Sequence, residues 1–343
     1  MVTARKSDHI HINLTEDVNS GITTGLEQYF YVHEALPEIN FNDIDLSQTL
    51  FGKKIHSPIL ISSMTGGTPE ALKINQILAE AAQQEGIAMG VGSQRAALEH
   101  PEVAYTFQVR KYAPSILLLA NVGAIQLNYG YTIDHCRRAV EMIEADALIL
   151  HLNPLQEAVQ PEGDTDFFGL LRKIQQVCKA INLPVIAKEV GNGISETTAK
   201  YLLESGIAAI DVAGAGGTSW SQVEMYRIKD PHLANVAAAF RDWGIPTSES
   251  ILNVKKVNPQ AIIFASGGLR SGVDIAKCIT LGASLGGIAR PFLKAAVNSL
   301  EDTIETIGEI KKEIQICMFL TSSPNLSELR KAKLVKRQVF HDH

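Results

Sequence analysis

The sequence lacks the features that would mark a secreted, membrane or nucleic-acid-binding protein. It has only four cysteines in 343 residues and no CxxC pair, so we expect reduced, structural thiols. No apolar run approaches the roughly 18 residues of a membrane span, and no apolar stretch follows Arg5 and Lys6 as in a signal peptide. The net charge of −6 argues against a general nucleic-acid binder. We therefore expect a soluble, cytoplasmic protein without membrane or nucleic-acid partners.

What the sequence does contain is a regular alternation of short apolar runs and amphipathic stretches. Eight apolar runs predict buried strands: Ile59–Met64, Ile87–Val91, Ile116–Val122, Ala147–Leu152, Val185–Lys188, Ala208–Val212, Ala261–Ala265 and Leu285–Ala289. The stretches between them predict helices: Glu70–Glu85, Pro101–Tyr112, Ile133–Glu144, Phe167–Ile181, Ser195–Glu204 and Gly272–Leu281. Eight strands that alternate with helices indicate a parallel sheet, and eight is the number that closes a barrel. The predicted fold is an α/β fold, a single-domain (β/α)8 TIM barrel over residues 1–343.

Three segments lie outside this alternation. Residues 1–20 form an N-terminal arm, expected either to cover the mouth of the barrel or to remain a solvated tail. The long interval between the sixth and seventh strands holds helix candidates at Pro231–Trp243 and Glu249–Val257, which we interpret as an insertion over the mouth. Residues 293–343 hold a closing helix, Ala295–Phe319, and a charged tail.

An open, doubly wound sheet is the alternative architecture. Such a sheet would carry a glycine-rich dinucleotide fingerprint directly after its first strand. The segment at that place, Ser63-Met64-Thr65-Gly66-Gly67, does not spell this fingerprint. The pattern therefore favours the barrel.

In a barrel of this kind the carboxyl ends of all strands meet at one mouth, where ligands bind. Polar or glycine-rich segments follow the eight predicted strands, in chain order: Ser62–Gly67, Gly92–Arg95, Asn121, His151–Glu157, Lys188-Glu189, Gly214–Ser219, Ser266–Arg270 and Gly287–Arg290. Glycine and arginine follow both of the last two strands, which is the position of a recurrent phosphate site. The sequence therefore predicts a cofactor that bears a phosphate.

The exit of the fourth predicted strand is the most polar of these segments. His151, Asn153, Gln156 and Glu157 follow the apolar run, and Pro154 is expected to stop any regular continuation. A single glutamate becomes a good Mg²⁺ ligand when the bound molecule supplies phosphate oxygens of its own. The alternative is a polar loop that caps a helix, with His151 as a hydrogen-bonded core residue.

Several motifs have to be considered together: Arg5-Lys6-x-x-His9, Ser63-Met64-Thr65-Gly66, Gly92-Ser93-Gln94-Arg95, His151-x-Asn153-Pro154-x-Gln156-Glu157, Lys188-Glu189, Gly216-Gly217-Thr218 and Gly267-Gly268-x-Arg270. In this combination the chain resembles the type 2 isopentenyl-diphosphate isomerases, from about Arg5 to about Phe292. The resemblance implies an FMN-dependent barrel that interconverts isopentenyl and dimethylallyl diphosphate. It implies reduced FMN and Mg²⁺ as cofactors, NADPH as the reductant of the flavin, and a homo-oligomer, a tetramer or an octamer.

The resemblance and the strand exits together assign roles to individual residues. The expected substrate-binding residues are Arg5, Lys6, His9, Ser93, Gln94, Arg95, Asn153 and Gln156. The expected FMN-binding residues are Ser63, Met64, Thr65, Ser93, Asn121, Lys188, Thr218, Gly267, Gly268, Arg270, Ala289 and Arg290. Glu157 is expected to bind Mg²⁺. Gln156, His151 and Lys188 are the expected catalytic residues, with Lys188 stabilising negative charge on the flavin.

Two other functions are compatible with the same pattern. The first is an FMN-dependent oxidoreductase, either a hydroxy-acid oxidase or a nucleotide dehydrogenase. The latter needs a nucleophilic cysteine in a loop, and none of the four cysteines follows a predicted strand: Cys136, Cys178, Cys278 and Cys317. The second is a protein that binds a flavin or a diphosphate without catalysis.

Overall fold

A computed structural model describes residues 2–337; for residues 2–5 and 7 it describes the backbone alone. The strands in this part of the chain are β1 (Tyr29–Tyr31), β2 (Gln48–Leu50), β3 (Lys53–Ile55), β4 (Ile59–Ile61), β5 (Ala88–Gly90), β6 (Leu118–Gly123), β7 (Ala147–Leu152), β8 (Val185–Glu189), β9 (Ala209–Asp211), β10 (Ile262–Ala265), β11 (Leu285–Ile288) and β12 (Leu334–Lys336). The helices are α1 (Val2–Thr15), α2 (Pro69–Glu85), α3 (Arg95–Glu99), α4 (Ile133–Ile143), α5 (Pro154–Val159), α6 (Leu170–Ala180), α7 (Glu196–Glu204), α8 (Trp220–Arg227), α9 (Pro231–Ala238), α10 (Thr247–Val257), α11 (Gly272–Leu281), α12 (Arg290–Asn298), α13 (Leu300–Phe319) and α14 (Leu326–Leu329).

The predicted barrel is confirmed. Strands β4 to β11 pair in parallel in chain order, and β11 pairs with β4 to close the sheet. Each of these eight strands overlaps one of the eight predicted apolar runs. These strands could be predicted because a barrel strand is buried on both faces, against the interior and against the outer helices, so that it reads as a continuous apolar run.

The interior of the barrel changes character along its axis. A separate apolar cluster inside the barrel includes at least one residue from each strand, and a first set takes one per strand: Leu60, Ala88, Leu119, Ile149, Ile186, Ala209, Phe264 and Leu285. Side chains two positions apart on a strand share a face. Two positions further along, each strand carries a small or polar residue instead: Ser62, Gly90, Asn121, His151, Lys188, Asp211, Ser266 and Gly287. The apolar set therefore fills the barrel, and the polar set forms the floor of a site.

The hairpin β2–β3 closes the opposite end of the barrel. Its residues Leu50 and Ile55 belong to the interior apolar cluster, and the ring of Phe51 lies 6.4 Å from that of Phe264, centroid to centroid. Because this end is filled with apolar side chains, only the carboxyl ends of the strands are open to a polar ligand.

Several predicted helices were wrong in detail. Pro154 does not stop the chain but begins α5, since a proline needs no amide partner in the first helical turn. The predicted Ala295–Phe319 is two helices, because the Ser299 hydroxyl accepts a hydrogen bond from the Asp302 amide at 3.0 Å and caps α13. The segment predicted as helix Pro101–Tyr112 is a 3₁₀ helix only as far as Thr106.

The N-terminal arm and the insertion after β9 meet above the mouth. The arm is helical as α1, which the sequence did not predict, and it packs against α8. Ile12 and Val18 form a buried apolar cluster with Val223 of α8, whereas Ile10 joins the main core. Of the helices in residues 2–337, none is long and apolar enough to cross a membrane.

Candidate active site

A cavity of about 640 Å³ lies at the carboxyl ends of the barrel strands. Its walls are the loops that follow the strands, and Lys6, His9 and Trp220 line it from α1 and α8. The predicted site residues that line it are Lys6, His9, Ser63, Met64, Thr65, Ser93, Arg95, Asn121, His151, Asn153, Gln156, Glu157, Lys188, Thr218, Gly267, Gly268, Arg270, Ala289 and Arg290. The fold thus brings together residues that are as far as 284 positions apart in the chain (6 and 290).

Of the predicted residues whose side chains the structure describes, Gln94 alone does not line the cavity. Gln94 is fully buried behind the wall, where its amide nitrogen donates to Ala139 O at 2.8 Å and its oxygen accepts from the Asn121 amide at 2.9 Å. It therefore holds the second and third strand exits together. The side chain of Arg5 lies outside the described residues.

Five buried polar atoms that have no hydrogen-bond partner in the described protein belong to residues of the cavity wall. They are Ser63 Oγ, Thr65 Oγ1, Asn153 Oδ1, Gln160 Oε1 and Arg290 Nε. A buried polar group without a partner costs about 1–3 kcal/mol. Their concentration around one cavity indicates that a polar ligand completes it.

His151 is held by its neighbour on the adjacent strand. The side-chain nitrogen Nδ2 of Asn121 donates to Val91 O at 3.1 Å. This bond fixes the orientation of the side-chain amide, so Asn121 Oδ1 accepts from His151 Nδ1 at 2.8 Å. Burial, together with the charges of Lys188 and Lys6, lowers the pKa of His151 to about 3. The imidazole is therefore neutral near pH 7, with its proton on Nδ1 and an acceptor at Nε2.

The depressed pKa of His151 predicts a pH-dependent stability. Between pH 6.5 and about 3 the unfolded state binds a proton that the folded state does not, so stability is lost as the pH falls through this window. Glu189 acts in the opposite direction above pH 4.5, because burial raises its pKa to about 7. Because both groups titrate in this range, the free energy of unfolding of the parent alone does not isolate His151. We expect the difference in this free energy between the parent and His151→Gln to change by about 1.4 kcal/mol per pH unit between about pH 6 and 4. Urea unfolding measures it, and a difference that stays constant would contradict the assignment.

Lys188 lies on the floor with a buried carboxylate beneath it. Its Nζ donates to Glu189 O at 2.8 Å and lies 3.7 Å from Asp211 Oδ2. Asp211 is held in turn by the hydroxyl of Ser266 at 2.6 Å. The lysine and the aspartate are both less than 10% exposed, so the pair places a fixed cation within the floor.

Glu157 lines the cavity and is surrounded by hydrogen-bond donors. One carboxylate oxygen accepts from Asn153 Nδ2 at 2.8 Å. The other accepts from Gln160 Nε2 and, at 2.8 Å, from the amide of Asp164. The side-chain oxygens of Asn153 and Gln160, whose nitrogens donate to Glu157, have no partner of their own. This corner, formed by Asn153, Glu157 and Gln160, therefore offers carboxylate and amide oxygens, the ligands that Mg²⁺ favours.

Glu224 on α8 does not line the cavity but holds two residues that do, and the sequence analysis missed it. Its carboxylate is completely buried and accepts from His9 Nε2 at 3.2 Å, from Gln156 Nε2 at 2.8 Å and from Arg227. Burial by itself raises the pKa of Glu224, but the hydrogen bonds of His9 and Gln156 and the charge of Arg227 outweigh it and lower the pKa to about 2. Burial also lowers the pKa of His9, so that a neutral imidazole donates this bond. One carboxylate thus joins the N-terminal arm to Gln156.

The glycine-rich exits after β9 and β10 touch backbone to backbone. A Cβ on Gly267 would lie 2.1 Å from Gly214 O, and one on Gly268 would lie 2.5 Å from Gly216 O. Both residues also have positive φ, so only glycine fits. The amides of Gly267 and Gly268 make no hydrogen bond within residues 2–337, and they line the cavity, as an anion site requires.

The two helices that follow these exits differ at their N-termini. In α11 the Ser271 hydroxyl accepts from the Asp274 amide at 3.2 Å and the Glu313 carboxylate accepts from the Gly272 amide, so side chains of the protein cap this helix. No side chain caps α12, which begins at Arg290 beside the cavity. Of the two helices, α12 therefore has N-terminal amides available to a phosphate, those of Arg290 and Phe292, whereas Pro291 has no N–H to donate.

None of the four cysteines lines the cavity, as the sequence predicted. They lie in the outer helices α4, α6, α11 and α13. Burial raises the pKa of Cys136 to about 12 and those of Cys178 and Cys317 to about 11. These thiols are therefore protonated near pH 7, which argues against a cysteine nucleophile.

Comparison with known proteins identifies the family. The profile of the FMN-dependent dehydrogenase family matches residues 154–336. The isopentenyl-diphosphate delta-isomerase of Nostoc sp. is 54% identical, over 97% of this chain and 96% of that protein. That of Rickettsia bellii is 51% identical, over 96% of each.

Solved structures agree at the level of the fold. A mandelate oxidase with benzoyl-formic acid superposes with a TM-score of 0.69 at 19% identity, over 98% of each chain. A mandelate oxidase with (S)-2-phenylpropionate superposes with a TM-score of 0.67 at 18% identity, also over 98% of each chain. Since the identity to the isomerases is about three times as high, the chain belongs to the isopentenyl-diphosphate delta-isomerases, in their FMN-dependent, type 2 form.

Proposed function

We propose that this protein interconverts isopentenyl diphosphate and dimethylallyl diphosphate, with FMN and Mg²⁺ as cofactors. The observation that carries the proposal is a single cavity with two kinds of anion-binding wall. Lys6, Arg95 and the oxygen-rich corner at Glu157 line it, and so do the free amides of Gly267 and Gly268. Two separate phosphate groups, one on the cofactor and one on the substrate, account for both walls.

The residues present fit an FMN molecule. The unpartnered hydroxyls of Ser63 and Thr65 lie at the first strand exit, and Lys188 holds a buried positive charge in the floor. The glycine exits and the N-terminus of α12 would hold the phosphate. Reduced FMN, when bound, supplies the proton-transfer chemistry, and Lys188 would stabilise its negative charge.

The corner at Glu157 fits Mg²⁺ that binds together with a diphosphate. Residues 2–337 contain no group of three or more histidine, cysteine or acidic side chains that could hold a metal ion alone. Mg²⁺ commonly binds one or two carboxylates and completes its coordination with substrate phosphates and water. We therefore assign Glu157 to the metal, and Lys6 and Arg95 to the diphosphate.

The remaining side chains orient the alkene and exclude water. Gln156 is fixed at both ends, because its nitrogen donates to Glu224 at 2.8 Å and its oxygen accepts from Asn153 Nδ2 at 3.2 Å. Neutral His151 adds an acceptor without a competing acid. The α1 helix with His9 lies over the mouth beside Trp220, which limits the access of water to an allylic diphosphate.

The first test is direct. The purified protein is expected to be yellow with the absorbance spectrum of oxidised FMN. Anaerobic incubation with isopentenyl diphosphate, Mg²⁺ and NADPH is expected to form dimethylallyl diphosphate, which NMR distinguishes from its isomer. A colourless protein would contradict the FMN assignment, and flavin turnover without isomerisation would favour an oxidoreductase.

A further inference from the structure

Asp164 joins the two residues to which we assign the metal and the diphosphate. Its amide donates to Glu157 Oε2 at 2.8 Å. Its carboxylate oxygen Oδ2 accepts from Arg95 Nη1 at 3.0 Å and from Gln126 Nε2 at 3.0 Å. Asp164 does not line the cavity itself, so any effect it has on a ligand passes through these neighbours.

The chain is shaped to bring Asp164 to this position. After α5 it turns back, with the Gly163 amide donating to Gln160 O at 3.1 Å. A Cβ on Gly163 would lie 1.7 Å from Glu157 O. Because the turn packs this closely on the α5 backbone, the Asp164 amide reaches the carboxylate of Glu157 while its side chain faces Arg95.

Arg95 has a second acidic neighbour that provides a comparison. Its Nε donates to Glu99 at 2.8 Å, one turn along α3. The side chain of Glu99 is 31% exposed and that of Asp164 is 17% exposed. An exposed pair within one helix contributes little, whereas the less exposed Asp164 ties Arg95 to a different segment of the chain.

We propose that Asp164 is a positioning residue, which fixes the guanidinium of Arg95 relative to Glu157 so that one diphosphate contacts both Arg95 and the metal. This inference rests on the proposed function and adds a residue to it. A planar guanidinium recognises phosphate through its orientation as well as its charge. Loss of the Asp164 carboxylate leaves Arg95 held by Glu99 on its own helix, so the guanidinium can turn away from Glu157 while its charge remains.

The expected result for Asp164→Ala is a KM for isopentenyl diphosphate raised about tenfold, with kcat changed less than about threefold, since the contact holds substrate and transition state alike. Glu99→Ala is the matched control, with an expected change below about twofold. Asp164→Asn keeps one acceptor oxygen and the amide, so we expect an intermediate KM. The FMN spectrum and the melting temperature show whether each variant is folded.

A double-mutant cycle separates this role from a merely structural one. If Asp164 acts through Arg95, adding Asp164→Ala to Arg95→Ala raises KM no further, whereas independent effects multiply. The Kd of inorganic pyrophosphate in the presence of Mg²⁺, measured by calorimetry on the same variants, repeats the comparison without turnover. Multiplying effects, or equal effects of Asp164→Ala and Glu99→Ala, would overturn the inference. Absence of isomerisation by the parent protein would refute the proposed function instead, and the pyrophosphate Kd values would still decide the role of Asp164.

Discussion

Glu157→Gln is expected to abolish the response to Mg²⁺ and to lower isomerase turnover about a thousandfold, while the bound flavin keeps its spectrum. Charge stabilisation by a metal ion is worth several kcal/mol, which corresponds to a factor of this order. The variant loses the metal carboxylate, whereas the glycine exits that we assign to the FMN phosphate lie at other strands. Turnover measured against Mg²⁺ concentration, together with the absorbance spectrum, tests both parts.

The matched control is Glu162→Gln, which changes an exposed glutamate in the same connection after α5. It removes an equal charge from the same region but leaves the corner at Glu157 intact, so turnover is expected to stay within about twofold of the parent. A Glu157→Gln protein that loses FMN but keeps Mg²⁺-stimulated turnover would show that the two phosphate sites have been exchanged.

The redox requirement gives the second large effect. The protein is expected to be inactive with oxidised FMN and active with reduced FMN. Because isomerisation involves no net redox change, a catalytic amount of NADPH is expected to support many turnovers. Product formed against NADPH consumed, in the absence of oxygen, is the measurement. One reductant consumed for each product molecule would refute the isomerase function in favour of an oxidoreductase.

Lys188→Ala is expected to slow the reaction about a hundredfold or more, since one preorganised charge contact is worth about 2–4 kcal/mol. The substitution also leaves Asp211 as a buried carboxylate without its cation, which by itself destabilises the fold. The double variant Lys188→Ala/Asp211→Asn removes the unpaired charge. We expect it to recover stability but not activity; recovery of both would mean that Lys188 serves the fold alone.

The strands and the outline of the site could be predicted because both depend on local patterns. A barrel strand is apolar along its whole length, and the polar residues that follow it must lie at one end of the barrel. From this it followed that His151, Lys188 and the glycines at 267 and 268 would meet at one cavity. The position of these residues directly at the ends of predicted strands is enough to predict that they meet, without knowledge of how the side chains pack.

The contacts that depend on tertiary packing could not be predicted in this way. Helix α1 packs against α8, an element of the insertion 205 residues further along the chain (15 to 220), and nothing in the sequence of α1 specifies that surface. Glu224 belongs to no recognisable motif in this insertion, and the fold shows that it is buried against Gln156 and His9. Gln94 stands in a motif whose neighbours line the cavity, yet a loop sequence does not tell which side chains face inward.

The change from an apolar to a polar interior along each strand has a consequence for how this chain tolerates mutation. On most strands the residue that packs in the apolar interior and the residue that faces the cavity are different residues two positions apart, as in Ile186 and Lys188. Substitutions in the apolar layer are expected to alter thermal tolerance and leave substrate preference unchanged. Substitutions in the polar layer are expected to alter substrate preference, and those that break a buried charge pair, as Lys188→Ala does, to lower stability as well. A search for variants of higher thermal stability can therefore begin with the apolar layer, and a search for variants with new substrates can begin with the polar layer.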